Sequence, residues 1–83
     1  MICDGRYGER IGVRCRQYSL DRRVTLREVC EFITALTLNA CNGGILITTS
    51  TLTDDALEEV KRHGNIMVID GHVLRRMFRR FGL

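Results

Sequence analysis

The apolar positions of this chain recur with two spacings, alternation along short runs and a three-to-four-residue repeat along longer ones, and together they predict a mixed α/β fold. Paired glycines open the run Ile45-Leu46-Ile47, which reads as a strand covered on both faces; Thr48, Thr49 and Ser50 end it in hydroxyls. Thr53 stands where a helix N-cap belongs, with Asp54 and Asp55 in the first turn, where the positive end of the helix dipole favours carboxylates. This helix, over 53–63, should turn Ala56, Leu57 and Val60 inward and stop at Gly64 in the left-handed conformation. A second apolar strand over 65–69 follows, closed by Asp70-Gly71. Strand, helix and strand joined in this way predict parallel neighbours and a right-handed crossover.

The N-terminal part reads as a β-hairpin. Residues 1–4 form a short strand, Gly5-Arg-Tyr-Gly-Glu9 supplies turn residues, and 10–17 alternates Ile11, Val13, Cys15 and Gln17 against Arg10, Gly12, Arg14 and Arg16. Arg14 and Arg16 therefore share a face. Residues 18–23 make a polar connection from which Leu20 folds back towards the core. Thr25-Leu-Arg-Glu28 then fits a capping box, opening a helix over 25–39 that carries Leu26, Val29, Cys30, Ile33 and Leu36, with Ala40 at its end, on one stripe. Asn39 to Gly44 is the stop signal. A last helix over 72–81 sets Val73, Leu74, Met77, Phe78 and Phe81 against Arg75, Arg76, Arg79 and Arg80. That basic face suits a nucleic-acid backbone or an acidic partner, and arginines near a helix C-terminus also complement its dipole with no partner at all.

Three blocks of these residues resemble one family. Gly44-Ile-Leu-Ile-Thr-Thr-Ser-Thr-Leu-Thr-Asp-Asp-Ala56 and Ile66-Met-Val-Ile-Asp-Gly-His-Val-Leu74 resemble the C-terminal half of the Mrr-type restriction endonuclease domain, within the PD-(D/E)xK nuclease superfamily. Val13-Arg-Cys-Arg-Gln-Tyr18 resembles the strand on which that family carries Val-Gln-x-Lys-Arg-Tyr. The resemblance runs from about Asp4 to Leu74. It implies a restriction-endonuclease-like mixed β-sheet flanked by helices, ending in a β-α-β unit of parallel strands, as a single domain over 1–83 that lacks the family's N-terminal helix. It also implies DNA as partner and Mg²⁺ as cofactor.

In such nucleases the cation lies between an acidic residue on one strand and a Glu or Gln two positions before a lysine on the next. The corresponding catalytic positions here are Asp4, Arg14 and Arg16, with Asp4 as the metal ligand. Asp4-Gly5 also reads simply as a turn, and Glu9 is a weaker substitute. Neither arginine supplies an oxygen, and a guanidinium is not a general base. Three functions stay open: a DNA-binding domain that has lost cleavage, an active Mg²⁺-dependent endonuclease, and a self-association module.

Composition narrows this picture in a few respects. With 83 residues, 45% of them hydrophobic, the chain supports one compact core. No apolar run approaches a bilayer span, and the N-terminus lacks a signal-peptide pattern, which points to a cytoplasmic protein. Cys3, Cys15, Cys30 and Cys41 form no Cys-x-x-Cys pair, and neither His63 nor His72 adjoins one of them; they read as small buried thiols in a reducing compartment rather than as a zinc site. The net charge of +3 divides into +4 over residues 1–27, −6 over 28–60 and +5 over 61–83. Twelve of the thirteen basic residues are arginine, whose planar fork matches phosphate oxygens. The plainer alternative is a solvated surface whose arginine content follows the genome's composition. An apolar sheet face left uncovered by the absent helix would favour a homodimer.

Overall fold

The computed structural model describes residues 2–5, 8–19 and 21–80. Leu20, Phe81 and the turn residues Arg6 and Tyr7 lie outside the described residues. The elements are β1 (Ile2–Asp4), β2 (Arg10–Arg16), α1 (Leu26–Leu38), β3 (Gly43–Thr48), α2 (Asp54–His63), β4 (Ile66–Ile69) and α3 (Gly71–Arg80). One mixed sheet runs in the order β1-β2-β3-β4, with β1 antiparallel to β2 and the last three strands parallel.

The boundaries follow local chemistry. Thr25 and Glu28 form the reciprocal capping box, each side chain accepting the other residue's backbone N–H. Thr53 has the extended N-cap backbone, but its hydroxyl donates to Asp55 Oδ1 instead of capping an amide. Gly64 ends α2 with φ 71°, a left-handed conformation that a side chain would resist. Ala40 follows the Asn39 cap of α1 with φ 54°, so it lies past the helix instead of on its stripe.

Two successive right-handed crossovers that move the same way across a sheet place both helices on the same face. α1 and α2 therefore pack side by side over β2, β3 and β4. The core between them is Val24, Val29, Phe32, Leu36, Leu46, Leu52, Ala56 and Val60. The strand registers stack Gly12, Gly44 and Ile66 in one row and Arg14, Leu46 and Val68 in the next, all facing this layer. Gly44 has no side chain because none fits: a Cβ there would stand 2.7 Å from Leu36 Cδ1 and 2.9 Å from the Phe32 ring.

This arrangement corrects four expectations. β3 is covered on one face only; Ile45 and Ile47 are half-buried on the other, and neighbouring Met67 is 60% exposed. On α1, Phe32 takes the buried place expected of Cys30, because the stripe set by Val29 and Leu36 passes through position 32. On α2, Leu57 is exposed at the edge of the stripe while Ala56 and Val60 carry the packing. The thiols are not core groups: Cys3, Cys15 and Cys30 are exposed and Cys41 is half-buried.

A two-layer molecule is flat, and the extents are 34 × 29 × 19 Å. Its accessible surface is 6017 Å². A compact monomer of 9.5 kDa exposes about 5,000 Å².

Candidate nucleic-acid interface

The inner face of β2 runs antiparallel to α1, so successive inward residues meet successive turns of the helix. Gly12 lies under Leu36, and the Arg14 guanidinium stands over the Phe32 ring, 5.4 Å from its centroid. Arg16 comes next, towards the N-terminal end of α1, where its charge helps hold the Glu28 carboxyl low. It is exposed, and its Nη1 donates to the Cys15 carbonyl at 3.4 Å.

Beyond Arg16 the chain is clamped to the end of β3. The Tyr18 N–H donates to Thr49 Oγ1 and the same hydroxyl donates back to the Tyr18 carbonyl, both at 2.8 Å. The Tyr18 phenol donates to Glu28 Oε1 at 2.6 Å, and Arg22 lies 4.3 Å above the Tyr18 ring and 3.6 Å from the same carboxylate oxygen. Partial burial pushes the Glu28 carboxyl up, but the Tyr18 and Thr25 hydrogen bonds and the Arg22 charge outweigh it, leaving Glu28 below the usual carboxylate range. The hydrogen bond to Glu28, seconded by burial, raises the Tyr18 phenol. Tyr18, Arg22 and Glu28 thus form a closed network beside Arg16. Reading the sequence identified Glu28 only as a cap. Its link to Tyr18 joins residues ten positions apart, across the connection into α1, and leaves no periodic signal.

Arg10 pairs with Asp4 at 3.5 Å, Arg22 with Glu28, Arg23 with Asp54 at 3.9 Å, Arg27 with Glu31 and Arg62 with Glu59. Among the described residues, Arg14, Arg16, Arg75, Arg76, Arg79 and Arg80 have no carboxylate within ion-pair distance. The last four lie exposed along α3, where Arg75 Nη2 meets His72 Nδ1 at 3.1 Å. Arg14 and Arg16 stand near the carboxyl ends of the parallel strands. α1 and α2 begin there too, and open α/β sheets bind ligands at that edge.

The Mrr_cat restriction endonuclease model matches residues 2–78. The chain belongs to this restriction endonuclease family. A solved structure, the DNA modification-dependent restriction endonuclease AspBHI, matches with a TM-score of 0.80 and 18% sequence identity, over 100% of this chain and 22% of that one. The chain therefore spans about a fifth of that protein's length. No curated protein matches it. Among the described residues no helix is long and apolar enough to cross a membrane.

Nucleases of the Mrr_cat type use divalent metals, which need several oxygen ligands converging on one point. Asp4 stands opposite Arg10 in the β1–β2 register, four residues along the strand from Arg14, a distance of about 13 Å. The structure does not bring Asp4 together with Arg14 or Arg16. Glu28, the carboxylate facing Arg16, is already held by Tyr18, Thr25 and Arg22. No three His, Cys, Asp or Glu side chains converge among the described residues. With a fixed positive charge at Arg14, these residues do not fit a Mg²⁺ site.

Proposed function

We propose that this chain is a DNA-binding domain of restriction-endonuclease type whose own residues do not assemble the metal centre for phosphodiester cleavage. The observation that carries this reading is the set of six arginines that have no carboxylate within ion-pair distance among the described residues, two of them on the strand where the resemblance calls for a metal ligand and a lysine. Arginine contacts to phosphate release counterions and read no bases, so binding should be weakly sequence-dependent and steeply salt-dependent. Replacing Arg75, Arg76, Arg79 and Arg80 with alanine should weaken duplex binding and reduce the slope of log K against log salt by about 3–4. A salt titration in which parent and variant coincide removes α3 from the interface. The exposed thiols and a DNA partner suit a reducing cytoplasm.

We further propose that a second copy covers the open sheet face. That face carries Ile45, Ile47 and Met67, beside a groove of about 510 Å³ lined by Ile11, Ile45 and Met67. Sedimentation should show a dimer that Met67→Lys converts to monomer. A parent monomeric at all accessible concentrations ends the proposal.

A further inference from the structure

We infer that Arg14 and Arg16 form a metal-independent clamp for a DNA phosphodiester, on the strand where a metal site would otherwise be. This rests on the DNA-binding reading above and assigns it a second, more specific contact than the α3 surface. The two residues occupy consecutive inward positions of β2, so their backbones are about 7 Å apart and their long side chains can converge on one phosphate group. Two guanidinium groups brought together on this face would repel each other, and no carboxylate lies within ion-pair distance of either among the described residues. An anion removes that repulsion. A phosphodiester suits the site because guanidinium N–H groups meet phosphate oxygens in a planar fork, with charge on both sides.

Local structure prepares the site. Arg14 is half-buried, and its position over the Phe32 ring restrains the guanidinium before any ligand arrives. Glu28 reaches Arg16 only through the charge between them and not as a direct partner, because its carboxylate already accepts from Tyr18 and Thr25 and pairs with Arg22. Arg16 is left facing solvent at the carboxyl edge of the sheet. A divalent cation would be repelled by both groups and would compete for the same phosphate oxygens.

Fluorescence anisotropy with a labelled DNA duplex, in EDTA and in Mg²⁺ at matched ionic strength, tests the clamp. Binding should be undiminished by EDTA and weakened by Mg²⁺. Arg14→Gln with Arg16→Gln should lose on the order of tenfold in affinity per arginine and reduce the salt slope by about 2. Arg16 is exposed, so Arg16→Gln alone, checked for fold by circular dichroism, keeps the test valid if the change at Arg14 disturbs packing. An Arg14/Arg16 variant that binds like the parent, while the α3 variant does not, overturns the clamp and leaves the DNA-binding reading standing. Binding that requires Mg²⁺ overturns the clamp in favour of a metal site, and a parent that binds no duplex at low salt overturns both readings.

Discussion

Phe32→Ala should cost about 3–5 kcal/mol, a large share of the stability of a domain this small. The ring is 3% exposed and lies directly on Gly44, where β3 has no side chain to move into the space it vacates. Leu36 bounds the same space from the next turn of α1, and a helix tied at its start by a capping box has little freedom to settle inward. The cavity should therefore stay largely open, which puts the cost towards the upper end of the range. Urea unfolding followed by circular dichroism measures it. Phe32→Leu, which refills most of the volume, should recover much of the loss. A cost below about 1 kcal/mol would mean that α1 does not pack on the sheet as described.

That Phe32 escaped the reading of α1 shows where periodicity stops being informative. Val29, Ile33 and Leu36 define a stripe, but Cys30 and Phe32 lie on opposite flanks of it, and only the position of β2 decides which flank faces inward. The β3-α2-β4 unit was legible because each signal is local: hydroxyls after an apolar run, acids in a first turn, a glycine at φ 71°. Coverage of the sheet was not. Ile45-Leu46-Ile47 looks like a strand buried on both sides, and nothing in those three residues records that both crossover helices fall on the same face.

The site divides in the same way. Two-residue alternation placed Arg14 and Arg16 on one face, and the register confirms that it is the face towards α1. Tyr18, Arg22 and Glu28 meet across an irregular connection, so their association could not be read from spacing. The distance from Asp4 to Arg14 is a matter of hairpin geometry. In an antiparallel pair the start of one strand meets the end of the other, so Asp4, at the end of β1, lies opposite Arg10 at the start of β2.

Plasmid DNA incubated with this chain and Mg²⁺ or Mn²⁺ should remain supercoiled, and Arg14→Gln with Arg16→Lys, which restores the family's pattern on β2, should not change that. Restoring a glutamine and a lysine supplies one oxygen and one mobile cation, but it brings no carboxylate nearer. Asp4 stays about 13 Å away along the strand, far beyond the ~2.1 Å of a Mg²⁺–oxygen bond, and it is engaged with Arg10. Asp4→Ala in the restored background should therefore be without effect on cleavage. Chelator-sensitive nicking by the restored variant that disappears with Asp4→Ala would show that β1 shifts far enough to deliver its carboxylate. Nicking that survives Asp4→Ala but is lost with Glu28→Gln would instead assign the metal to the carboxylate beside Arg16, freed from its network with Tyr18 and Arg22. Cleavage by the unmodified chain would refute the reading of Arg14 as a cation-excluding group.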